Sequence, residues 1–180
     1  KHSLFVDTNG ALFSLGDNSF GQLGDGTTTD SSTVVAIGAV ADVVAVAAGD
    51  WHWMVLDAYG QVWTFGRNDR GQLGTGLWTD SSTPVLVSTL SNIEAISAEE
   101  SLGVALDASG QVWTWGQNEY GQLGDGTTTD SSVPLMVPSL ATIEAVSAGR
   151  AHVAVLQSDG TVWSWGLNGS GQLGNGTSVD

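Results

Sequence analysis

The sequence predicts an all-β fold of β-propeller blades, each of four antiparallel strands, with about 3.5 blades in the chain. Two observations carry this. The chain repeats with a fixed period of 50 residues, and within each period the apolar segments are short, rich in Val, Ile and Trp, and separated by Gly, Asp and Ser. No segment shows helical spacing of its apolar residues.

The register of the repeat is unbroken. Gly10, Gly60, Gly110 and Gly160 share one position, Asn18, Asn68, Asn118 and Asn168 a second, and Gly21, Gly71, Gly121 and Gly171 a third. The units are read as 1–33, a half blade with its linker loop, then 34–83, 84–133 and 134–180, all within one repeat domain. In the unit from Val133 to Gly166, "VPLMV", "TIEAVSA", "HVAVL" and "TVWSWG" are its four strands. The turn before the last of them reads "LDTNGAL", "LDAYGQV", "LDASGQV" or "LQSDGTV". An Asp there accepts bonds from the amides ahead of it, and the Gly supplies the positive φ that closes a tight hairpin. The following strand, as in "QVWTWG", is apolar on both faces, which fits a sheet packed between two others. "GQLGDGTTTDSS" follows a strand but opens no helix, so it is read as the link between blades rather than a phosphate cradle.

The motif A-G-x-x-H-x-x-x-L-x-x-x-G-x-V-W-x-W-G-x-N-x-x-G-Q-L-G, here Ala148 through Gly174, resembles the repeat of the regulator of chromosome condensation family. The Gly-Gly pair of kelch repeats and the "GH…WD" signature of the other large propeller group are absent. The resemblance implies seven-bladed propellers, and members with different tasks: nucleotide exchange on a small GTPase at chromatin, ultraviolet reception in plants, and secreted bacterial inhibition of β-lactamases. The shared motif is the structural part, so the resemblance carries fold further than function.

Composition narrows the classes. Four Lys plus Arg against 19 Asp plus Glu give a net charge of −15, the opposite of a surface that displaces counterions from phosphates, so nucleic acid and anionic membranes are not expected as partners. A basic protein suits the charge better. No apolar run reaches the length of about 18 residues that a membrane-spanning helix needs, and the first ten residues lack the long apolar region of a signal peptide. With no Cys there is no disulfide, thiolate nucleophile or Cys-ligated zinc. No nucleophile, base and orienter set recurs, so neither an enzyme nor a cofactor is expected. His2, His52 and His152 share a register that Leu102 completes, and are read as structural, bonding to loop backbone.

About 14 strands fall short of the four to eight blades of a closed ring, which leaves open edges. The expectation is a piece of a longer propeller or a homodimer or larger ring that closes it, two copies supplying about seven blades.

Residues that depart from the repeat are the candidates for function. Antiparallel strands place the loop after "AAG" and the long loop containing "GQLG" at one end of the blades. The candidates there are Phe20, Trp51, Trp53, Arg67, Arg70, Leu77, Trp78, Glu99, Glu100, Tyr120 and Arg150, a composition of aromatics and Arg typical of binding hot spots. The resemblance implies that Trp51, Phe20 and Tyr120 match positions facing the partner in the inhibitor branch. The expected function is a non-enzymatic scaffold that binds a protein partner through this face, secreted or on a bacterial cell surface. The alternatives are an exchange or signalling module for a small GTPase, and a self-assembling structural propeller piece.

Overall fold

A computed structural model describes residues 1–180. Fourteen strands form four antiparallel sheets. The first contains β1 (His2–Val6), β2 (Leu12–Gly16) and β3 (Ser31–Ile37); the second β4 (Val43–Ala48), β5 (His52–Asp57), β6 (Val62–Gly66) and β7 (Ser81–Leu86). The third contains β8 (Ile93–Glu99), β9 (Leu102–Asp107), β10 (Val112–Gly116) and β11 (Ser131–Met136); the fourth β12 (Ile143–Ala148), β13 (His152–Gln157) and β14 (Val162–Gly166). This is a partial β-propeller.

The phase of the blades differs from the phase read in the sequence. The sequence makes "VPLMV" the first strand of its unit, but β11 pairs with β10 and completes the third sheet instead of opening the fourth, as β7 pairs with β6 and β3 with β2. The long loop that carries "GQLG" therefore joins two strands of one sheet, and the chain crosses between sheets at 38–42, 87–92 and 137–142. The physical reason lies in the loop, which folds back on itself and returns the chain antiparallel to the strand it left. The first sheet lacks only an inner strand and the fourth only an outer one, so two copies would hold eight sheets rather than seven four-stranded blades.

The cores lie between sheets. Leu12, Ile37, Val43, Trp53, Val55 and Phe65 fill the first seam. Met54, Leu56, Val62, Ile93, Ala105 and Trp115 fill the second, and Leu102, Val104, Val112, Leu123, Val153 and Val155 the third. Apolar burial of this kind contributes about 25 cal/mol per Å². The second and third sheets are thus covered on both faces, which explains the apolar character of both faces of the fourth sequence strand, while the first and fourth sheets are each packed on one face.

The "LDxxG" turn forms as its residues require. Asp57 Oδ1 accepts from the amides of Tyr59 and Gln61, both at 2.9 Å, and its Oδ2 accepts from Trp63 Nε1 at 3.0 Å. Gly60 closes the turn with φ 73°.

Of the register histidines, His52 is fully buried and neither ring nitrogen has a hydrogen-bond partner. The expected bond to loop backbone does not reach hydrogen-bond geometry there, although the Glu100 carbonyl, which accepts from the Asp50 amide, lies near enough to the ring to favour its protonated form slightly against the effect of burial. The ring is held by packing: a β-carbon on Gly49 would fall inside it, as one on Gly149 would meet His152. In the third sheet both members change together, to Glu99 and Leu102. Gly49→Ala is expected to cost about 2–3 kcal/mol by overpacking. His52→Leu in the same chain should recover part of that loss in a denaturant-unfolding double-mutant cycle; strict additivity would refute the pairing.

Candidate protein-binding face

The long loop is built around one buried Asn. In the third sheet, Asn118 Oδ1 accepts from the Leu123 amide at 2.9 Å, while Nδ2 donates to the carbonyls of Thr127 and Thr129, both at 3.1 Å, and to Asp125. The Asn118 amide donates to Asp130 Oδ1 at 2.9 Å. Thr114, inside the sheet, holds the Leu123 carbonyl through its hydroxyl at 2.7 Å. These contacts recur around Asn18, and they explain the Asp, Thr and Asn of the repeat as loop-forming groups. Burial opposes ionisation of Asp25 and Asp125, yet bonds from the Thr two residues on and from the clasp Asn hold both carboxyls below the usual range.

The same loops staple one sheet to the next. The Gly76 amide donates to the Ser132 carbonyl at 2.7 Å, and Gly26 likewise to Ser82 at 2.8 Å. Trp115 Nε1 donates to the Gln72 carbonyl at 2.9 Å and Trp165 Nε1 to that of Gln122 at the same distance. "GQLG" is thus a non-covalent bridge between sheets.

Three seams open on this end, and their side chains differ. At the first, the Phe20 and Trp51 rings meet edge to face with centroids 5.5 Å apart, and the Arg67 guanidinium lies over the Phe20 ring at 5.1 Å while pairing with Asp69. At the second, Arg70 pairs with Asp130 at 3.1 Å across the seam, which raises its pKa. At the third, Arg150 reaches Glu100 at 3.4 Å, and Tyr120 lines a cleft of about 340 Å³ with Glu100, Glu119, Arg150, Ala151 and Leu167. Glu100 stands at φ 46°, at the turn that joins β8 to β9.

Leu77 and Trp78 are 60% and 50% exposed. Their loop has Thr75 and Leu77 where the first and third have Asp and Thr and the fourth has Asn175 and Thr177, so Asn68 Nδ2 keeps only the carbonyls of Leu77 and Thr79. Glu99 is exposed at the end of β8.

One candidate does not belong to the exposed face. Trp53 is 6% exposed, lies in the first core, and packs edge-on against His2 at 5.2 Å. It sits within β5 opposite Phe65, whereas Gly103 sits opposite the larger Trp115 and Val153 opposite Trp165. Trp53 is therefore volume compensation, large where its cross-strand partner is smaller. Sequence reasoning missed Glu119 and Ala151, which line the third-seam cleft, although the 50-residue register carries a signal for Ala151, which stands where Trp51 and Ser101 do.

Among solved structures, human WBSCR16 matches at 29% identity and a TM-score of 0.84, over 93% of this chain and 45% of that one. Prp20p from Saccharomyces cerevisiae, described with its binding properties to Gsp1p and histones, matches at 22% identity and a TM-score of 0.85, over 99% and 46%. Yeast RCC1 (Prp20) with Kap60 bound gives 21%, 0.84, 99% and 45%. The chain thus spans a little under half the length of these proteins. No curated protein matches the sequence significantly. A family model for the RCC1-like domain matches residues 1–180 throughout, and the chain belongs to the RCC1-like domain family.

Proposed function

We propose that the protein is a non-enzymatic propeller scaffold that binds a protein partner through the end carrying the "GQLG" loops. The observation that carries this reading is the second sheet's loop, which exchanges the Asp and Thr that brace the other loops for Thr75, Leu77 and Trp78. A loop that gives up internal hydrogen bonds while displaying an indole and an isobutyl group is matched to something outside the chain. The net charge of −15 favours a basic partner, and Prp20p, which shares the fold, has been studied for binding to histones and Gsp1p. In the triple variant Trp51→Ala, Arg70→Ala, Trp78→Ala, circular dichroism is expected to be unchanged and partner capture in a pull-down lost. Undiminished capture refutes the face. The exchange alternative predicts accelerated nucleotide release from a small GTPase in the presence of the domain, and no such acceleration is expected.

The assembly reading has its own observation. Val162 and Trp163 of the fourth sheet are 66% and 51% exposed, whereas Val62 and Val112 in the same register are fully buried under a neighbouring sheet. Another propeller sheet is matched to this face, and a homodimer or larger ring of residues 1–180 is one source of it. Light scattering is expected to give at least twice the monomer mass, falling to one for Val162→Asp; a monomeric wild type refutes it.

A further inference from the structure

The outer strands of the first three sheets share one plan and differ at one position. In β3, β7 and β11 a Ser hydroxyl turns back onto its own strand. Ser31 Oγ accepts from the Thr33 amide and donates to the Thr33 carbonyl, Ser81 does the same for Thr83 and Ser131 for Val133. Both main-chain groups at that position are thereby engaged. The next residue is Pro84 in β7 and Pro134 in β11, and proline has no amide to offer. In β3 it is Val34.

Strand alternation fixes where the Val34 amide points. Val87 and Val137 donate inward, to Val62 and Val112, both at 2.9 Å, and Ile37 stands in their register opposite Leu12. Val35 likewise faces β2, opposite Ser14, so Val34 and Ala36 turn their amides and carbonyls outward. Proline at 84 and 134 fits the same geometry, because a sheet tolerates it only where no ladder bond is needed. β3 thus presents two residues with free donor and acceptor groups, whereas β7 and β11 present one each, Leu86 and Met136. Charge and proline are the usual means of blunting an edge, and β3 has neither from Ser31 to Ala41. Val34 is 56% exposed, with Ser32, Thr33 and Ala36 exposed beside it. The main-chain staple from a preceding loop engages Ser82 in β7 and Ser132 in β11, two residues before the proline, and so leaves this part of the edge clear.

We propose that the outer edge of the first sheet docks an extended segment of a protein partner, added as a further antiparallel strand with basic residues at its ends. Main-chain bonds to Val34 and Ala36 hold the segment, and β-branched side chains suit the surface beside Val34. Charge sets the ends. Asp30 precedes β3 and Asp42 follows it; both are exposed, and neither takes part in an ion pair. A second copy of this chain is the wrong occupant, because an antiparallel pair of β3 strands sets the Asp30 of each copy beside the Asp42 of the other. The edge is separate from the end that carries the "GQLG" loops and does not rest on the reading of that end.

Isothermal titration calorimetry with the peptide Lys-Thr-Val-Thr-Val-Thr-Lys tests the edge. Saturable binding of one peptide per chain is expected. Val34→Pro copies the sister strands and is expected to weaken binding at least about tenfold with circular dichroism unchanged. Pro84→Val is expected to open a second, weaker site in β7, where Asn92 stands in place of Asp42. The same peptide N-methylated at its inner amides keeps the charge and loses the donors; one ended in Glu keeps the donors and reverses the charge. Both are expected to bind at least about tenfold more weakly. No saturation by the parent peptide, equal binding by Val34→Pro or by either altered peptide, or a single site in Pro84→Val overturns the proposal. If the peptide fails to bind while the Trp51, Arg70, Trp78 variant still loses capture, the edge falls and the loop-end reading stands.

Discussion

Asn118→Ala is expected to destabilise the domain by about 3–4 kcal/mol, among the largest effects of any single polar substitution in the chain. Asn118 is fully buried, and its one side chain answers the Leu123 amide on one side and two loop carbonyls on the other. Alanine strands the buried Leu123 amide and removes the donor that draws the two loop carbonyls inward from a solvent-exposed segment. Asn118→Asp separates the two halves of the interaction. The carboxylate can still accept from Leu123, but it presents negative charge to the Thr127 and Thr129 carbonyls and to Asp125. It should therefore be no better than alanine at neutral pH, despite its near-identical shape. Urea unfolding decides both cases, and a loss under about 1 kcal/mol for either would mean that the loop is held by packing rather than by the clasp.

The second large effect is on pH. Burial is the main cause that drives the His52 pKa down to about 4 from 6.5, with the neighbouring His2 acting in the same direction. A histidine depressed in the fold and normal in the unfolded chain contributes stability that is complete above pH 6.5. That stability is lost as pH falls from 6.5 towards 4, and changes no further below. The full loss is about 3 kcal/mol, from a shift of about 2.5 units at 1.36 kcal/mol each. The carboxyls held below their usual range add a loss of the same sign once the unfolded carboxyls begin to protonate, below about pH 5, so the span from pH 6.5 to 5 belongs to His52 and to His2, whose pKa burial also lowers. His52→Leu, which copies Leu102, is expected to flatten the difference between pH 6.5 and 5. Parallel stability curves for wild type and variant would show that the folded imidazole takes up its proton at the same pH as in the unfolded chain.

Much of the fold was legible in the sequence because a propeller states its plan repeatedly. Four copies of the Gly10 position, each after an Asp or a Ser-Asp pair, identify a hairpin whose chemistry leaves no other option, and the strands around it follow. What the period cannot reveal is its phase. A repeat looks the same wherever it is cut, so whether "VPLMV" opens one sheet or completes another depends on how "GQLGDGTTTD" folds back, and that depends on Asn118 reaching residues up to 11 positions away. The binding face was legible for Trp51, Leu77, Trp78 and the arginines, which break the repeat inside loops. Trp53 breaks it too, but inside a strand, and its reason is the Phe65 across from it. A departure from a repeat marks either a surface or a compensated core, and only the strand boundary separates the two.

The stagger between period and sheet has a consequence for how such a chain grows and shrinks. Each 50-residue stretch begins in the outer strand of one sheet and ends inside the next, so every seam is spanned by continuous chain as well as by packing. Inserting one whole period, cut at any point, adds one full sheet and one full seam of the kind already present. Unequal recombination between copies can therefore change the number of sheets without inventing a single new interface, and each round leaves a fresh loop in which substitutions like those at Leu77 and Trp78 can accumulate while the Asn still holds two loop carbonyls beneath.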